Sequence, residues 1–93
     1  MPIIAGLTVR GSGRFAGKFY IDLEGRYAAG DIAESLGMSK EKAEAVYQRN
    51  GAVYEESLGV YFFDSRERAL EAVRELDGQL SGMAGKTVYL TYE

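Results

Sequence analysis

The sequence predicts one α+β domain with the element order ββ-αα-ββ-α-β, on three observations. Stretches at both ends of the chain alternate apolar and polar residues with the period of a strand. The stretches around residues 31–49 and 66–76 repeat their apolar residues at helical spacing. No linker or internal repeat divides the 93 residues, a length suited to a single core.

The elements follow in order. Ile3–Arg10 is β-branched and apolar at alternate positions and reads as a strand; Gly11-Ser12-Gly13 reads as a turn; Arg14–Leu23 reads as the returning strand. On that second strand Phe19, Ile21 and Leu23 share one face, and Lys18, Tyr20 and Asp22 the other. Ala52–Glu56 and Val60–Phe63 read as a second hairpin turning near Ser57-Leu58-Gly59. Asp64 or Ser65 caps the next helix, whose buried stripe is Ala69, Leu70, Val73 and Leu76 and whose end is Gly78. Lys86–Tyr92 reads as a last strand. Two architectures accommodate this order. One is a ferredoxin-like split β-α-β-β-α-β with an extra N-terminal strand; the other is a winged helix-turn-helix with a flanking sheet.

Asp31–Arg49 reads as two short amphipathic helices broken at Gly37-Met38-Ser39. Asp31 with Glu34 has the spacing of a capping box, and Ile32, Ala33 and Leu36 make the inward stripe. Gly37 supplies the left-handed residue that ends the first helix, and Ser39 caps the second, whose stripe is Ala43, Val46 and Tyr47. In Ile32, Ala33, Leu36, Gly37, Met38, Ser39 and Val46 the stretch resembles the helix-turn-helix element of bacterial DNA-binding proteins. It departs at Ala43, where a branched residue is commoner. The resemblance covers about a fifth of the chain and implies double-stranded DNA as partner. In it Ser39, Lys40, Lys42, Glu44, Gln48 and Arg49 face the duplex, with Gln48 on an adenine edge and Glu44 on a cytosine amine. Lys40, Lys42 and Arg49 would then reach phosphates.

Charge cuts the other way. The chain carries 14 acids against 11 bases, net −3, whereas phosphate binding calls for a basic surface. The distribution is uneven: residues 1–20 hold Arg10, Arg14 and Lys18 and no acid, and these three are the expected phosphate contacts of a basic hairpin. There is no Cys, which suits a reducing cytoplasm, and no basic residue precedes the short apolar run at the N-terminus, so neither a secretory signal nor a membrane partner is expected.

Catalysis is poorly served. Without His or Cys the chain lacks the commonest base, thiol nucleophile and metal ligands, so no catalytic residue, metal or cofactor is expected. Gly11–Gly17 has a phosphate-loop composition, but a strand follows it where an anion needs a helix N-terminus. Tyr20, Tyr61 and Tyr89 fall on three strands and would share an open sheet face. The expected function is therefore that of a small nucleic-acid-binding, chiefly DNA-binding, regulator. The alternative is a non-catalytic module that binds a protein partner or a second copy through a sheet edge or tyrosine face.

Overall fold

Alternation along the N-terminal hairpin decides where the layers lie. In a computed structural model, which describes residues 5–78 and 88–93, Ala5–Val9 (β1) and Phe19–Leu23 (β2) pair antiparallel. Ala5, Leu7, Ile21 and Leu23 are buried on one face, under the helices. The helices are Ala29–Leu36 (α1), Lys40–Arg49 (α2) and Arg66–Gly78 (α3). Val53–Glu55 (β3) and Val60–Phe62 (β4) form the second hairpin, and Tyr89–Tyr92 (β5) is the last strand. The element order is the expected ββ-αα-ββ-α-β, and the fold is mixed α+β.

The strands make two sheets, β2-β1-β5 and β3-β4, with β5 parallel to β1. The extra N-terminal strand is not an appendage: it lies between β2 and β5. A single bridge joins the sheets. The Phe19 amide donates to the Phe63 carbonyl at 3.0 Å, and the Phe63 amide returns a bond of 2.7 Å.

The first hairpin departs from expectation. Arg14–Leu23 is not a continuous strand; β2 begins only at Phe19. Gly13 and Gly17 adopt positive φ of 80° and 82°, winding the loop so that Phe15 turns inward onto Phe62, rings stacked at 4.4 Å. Burying Phe15 in that second small cluster is worth roughly 2–3 kcal/mol, enough to outweigh a few ladder hydrogen bonds.

The helical pair has the expected break and a different start. Helix α1 begins two residues before Asp31, and its N-cap Ala28 makes no side-chain cap, so no capping box forms with Glu34. Ala29 is buried, and its burial carries the helix upstream. Asp31 instead sits in the first turn, where a carboxylate favours the helix dipole. Gly37 is left-handed at φ 69°, and the Met38 amide reaches back to the Ala33 carbonyl at 3.0 Å, closing a Schellman turn. The Ser39 hydroxyl accepts from the Lys42 amide at 3.2 Å, a cap worth about 1 kcal/mol. Ile32, Ala33 and Leu36 then meet Ala43, Val46 and Tyr47 in the main core. Ser65, not Asp64, caps α3, accepting from the Arg68 amide at 3.2 Å. That helix buries Ala69, Ala72, Val73 and Leu76, with Leu70 only partly covered. Lys86 and Thr87, expected in the last strand, lie outside the described residues, as does the loop through Gly82 and Gly85.

Tyr47 is the core's costly member. Its ring stacks on Tyr61 with centroids 4.8 Å apart, yet its hydroxyl is buried with no hydrogen-bond partner among the described residues. Burial, and then the neighbouring Tyr61, push its pKa upward. An unpaired buried hydroxyl costs about 1–3 kcal/mol. Tyr47→Phe keeps the stacking and removes the cost, so urea denaturation should give a variant at least as stable as wild type, gaining about 1 kcal/mol. A loss above about 1 kcal/mol would mean that the hydroxyl is satisfied.

Candidate functional site

Because side chains alternate across a strand, the residues between the core positions form a second face, turned away from the helices among the described residues. Tyr20 stands on it, opposite Thr8. The β1–β5 register places Tyr89 beside Gly6 on the same face, since its neighbour Leu90 aligns with buried Leu7. Phe62 lies there too, its ring 5.6 Å from Tyr20 edge to face, and Val53 pairs across from it. Tyr27 meets Tyr20 edge to face at 5.9 Å. The rings Phe15, Phe62, Tyr20 and Tyr27 thus run in one row across this open face.

Beside that row is a depression of about 150 Å³, lined by Arg10, Tyr20, Tyr27, Leu58, Val60 and Phe62. It falls short of the several hundred Å³ that a small-molecule site usually needs and suits a single apolar side chain. Its rims are Tyr27, 51% exposed, and Leu58, 42% exposed. With Val53 at 48% and Tyr89 at 56%, four of the six large hydrophobics exposed among the described residues gather on this face. Tyr27 and Leu58 line the depression, while Val53 on β3 and Tyr89 on β5 stand at the two outer strands of the joined sheets.

The polar edge of the depression is knit together. The Tyr20 hydroxyl donates to Glu93 at 2.8 Å, and Glu93 also accepts from the Gly11 amide at 3.3 Å and the Arg10 guanidinium at 3.5 Å. Burial and the Glu93 bond push the Tyr20 hydroxyl up to about 12. The same bond, with the Gly11 amide and Arg10, holds the Glu93 carboxyl below its ordinary value.

The basic hairpin is matched by acids. Arg10 faces Glu93 at 3.5 Å, Arg14 faces Glu55 at 4.0 Å and Lys18 meets Asp64 at 2.7 Å. Lys18 lowers the Asp64 carboxyl through that contact. Solvent weakens each of these exposed pairs, but together they place an acid beside every hairpin cation expected to meet phosphate. On α2, Ser39 is spent on its cap. Lys40 and Lys42 are exposed and make no ion pair among the described residues. Glu44, expected to face a base, is half-buried and accepts from the Tyr61 hydroxyl at 2.8 Å; Gln48 is exposed and its amide approaches the same hydroxyl at 3.5 Å. Arg49 donates twice to Glu75, at 2.6 and 3.1 Å. Tyr61, expected on the open face, lies instead beneath α2 and is 4% exposed. One residue of register decides this, for Phe62 takes the open side. Tyr27, Val53 and Leu58 were not singled out as surface residues by the sequence. The alternation along β4 is the signal that places Phe62 on that side, and the register carries Val53 with it.

Among the described residues no group of three or more acidic side chains is placed to hold a metal, and no helix is long and apolar enough to cross a membrane. No family model matches the chain, and no curated protein or solved structure matches it either.

The Arg49–Glu75 contact has a pH signature. The Asn50 amide, 2.7 Å from Glu75, and then Arg49 hold the Glu75 carboxyl below its ordinary value of 4.5. A folded-state pKa lower than the unfolded one adds stability above the unfolded value, lost as pH falls through the folded one. Glu75→Gln should therefore lose about 1 kcal/mol at pH ~7, and the difference from wild type should close as acid protonates the folded-state carboxyl, measured by urea unfolding across pH. A constant difference across that range would contradict the assignment.

Proposed function

We propose that the protein is a non-catalytic interaction module that binds a protein partner through the open face of its sheets. The observation that carries this reading is the pair of exposed apolar side chains Tyr27 and Leu58 flanking an aromatic-lined depression the size of one side chain. Interfaces of this kind are anchored by a few apolar or aromatic side chains seated in pockets, inside a polar rim. Arg10, Arg14, Asp22 and Glu93 supply the rim. The reading is tested with the apolar dye anilinonaphthalene sulfonate at ~1 µM protein, where weak association is dissociated. Folded wild type should enhance its fluorescence, and the Tyr27→Asp/Leu58→Asp variant should lose most of that enhancement while keeping its circular dichroism. Equal enhancement in the two folded proteins would contradict the reading.

A second reading keeps the helix-turn-helix-like pair as a DNA-binding element and the chain as a small regulator. The specific support is the exposed pair Lys40 and Lys42 in the first turn of α2, with no ion pair among the described residues. Against it stand the acids beside Arg10, Arg14 and Lys18, and the engagement of Glu44 and Arg49 within the fold. Fluorescence anisotropy with a mixed-sequence duplex, from ~50 to ~200 mM salt, separates the two. The DNA reading predicts micromolar binding that weakens steeply with salt and is lost in Lys40→Glu/Lys42→Glu. The interaction-module reading predicts no binding at ~50 mM salt.

A further inference from the structure

The chain has seven tyrosines and neither cysteine nor tryptophan, so tyrosine is its side chain that most readily gives up one electron. Its three methionines are oxidised chiefly by gaining an oxygen atom, a two-electron change. Three of the tyrosines meet where α2 packs on the second hairpin. Tyr54 and Tyr61 face each other across β3 and β4, their ring centroids 4.8 Å apart. Tyr61 then stacks on Tyr47 at 4.8 Å, with the ring planes 9° from parallel. The rings form a column that starts at the surface, where Tyr54 is 45% exposed, and ends in the core at Tyr47.

The surroundings of the three rings differ, and the difference selects the middle one. The Tyr47 hydroxyl is buried with no hydrogen-bond partner among the described residues. Removing an electron there would strand a positive charge in the core. A radical on exposed Tyr54 would meet solutes and other molecules. Tyr61 is buried, and its hydroxyl donates to the Glu44 carboxylate at 2.8 Å while the Gln48 amide approaches the same oxygen at 3.5 Å. A phenol that loses an electron becomes a strong acid, and Glu44 stands within hydrogen-bond reach to take the proton.

We propose that Tyr61 is a one-electron oxidation site, reached from the surface through Tyr54 and deprotonated by Glu44. The reacting partner is a high-valent metal complex that accepts one electron from Tyr54 and is itself reduced by one. Tyr54 is restored by an electron from Tyr61. The Tyr61 O–H bond breaks, its proton moves to the Glu44 carboxylate, and a neutral phenoxyl radical remains. The site as a whole loses one electron and keeps its proton. Tyr20 makes the same kind of bond, to Glu93 at 2.8 Å, but it is half-buried on the open face, outside the column. A radical there lacks the cover that Tyr61 has beneath α2.

Flash oxidation of the intact chain by photogenerated tris(bipyridine)ruthenium(III) tests the proposal, read by transient absorbance and electron paramagnetic resonance. Wild type should give a long-lived tyrosyl radical, and Tyr61→Phe, which keeps the stack, should lose it. Glu44→Gln keeps an acceptor for the hydroxyl but removes the base, and should slow radical formation by ~10-fold or more. Tyr54→Phe should slow it several-fold, since the exposed end of the column is then inert. Tyr20→Phe should leave the long-lived signal intact, and circular dichroism should be unchanged in all four variants. A long-lived radical that survives in folded Tyr61→Phe overturns the proposal. So does a rate of formation indifferent to Glu44→Gln, or a long-lived signal lost in Tyr20→Phe.

Discussion

Two backbone hydrogen bonds between Phe19 and Phe63 hold the two sheets together edge to edge. They add to the contacts of Phe62 with Phe15 and Tyr20, which also tie the β3–β4 hairpin to the first sheet. With them, β4 continues the alternation of β2, and each side of the joined sheets acquires one character. Phe19, Ile21, Tyr61 and Phe63 go beneath the helices, and Tyr20, Val60 and Phe62 go to the other side. That sorting builds both the main core and the aromatic row on the open face. The loop of residues 10–18 delivers Phe15 onto Phe62 on that open face.

Much of this was legible in the sequence where the signal was periodicity. The helical break at Gly37-Met38-Ser39, the Ser39 cap, the Ile21 and Leu23 face and the order of all eight elements follow from spacing and from what Gly and Ser do to backbone. Errors arose where tertiary burial outweighed local chemistry. Asp31 and Glu34 have capping-box spacing, yet burial of Ala29 starts the helix earlier. The strand expected from Arg14 gives way to a wound loop because Phe15 has a partner 47 residues later in the chain. Tyr61 and Phe62 are adjacent and equally aromatic; which of them is buried under α2 depends on the bridge to β2, a long-range fact.

The charged residues carry a similar lesson. A run of 20 residues with three cations and no acid reads as a basic patch in one dimension. In three dimensions Glu93, Glu55 and Asp64 arrive from other elements to face Arg10, Arg14 and Lys18. Glu44 and Arg49, which a recognition helix would offer to a duplex, are bound to Tyr61 and Glu75. The surface that remains apolar and unpartnered lies on the far side of the sheet from α2. Sequence separation hid it, because its parts come from Tyr20, Tyr27, Val53, Leu58, Phe62 and Tyr89.

Function on that open face is tested residue by residue by titrating anilinonaphthalene sulfonate into isotopically labelled protein at ~10 µM and following the amide chemical shifts. Shifts confined to Arg14, Tyr20, Asp22, Tyr27, Leu58 and their neighbours, with α2 and α3 unchanged, are the predicted result. Shifts concentrated on α2, or spread along the outer edge of β5 with the open face silent, would contradict it.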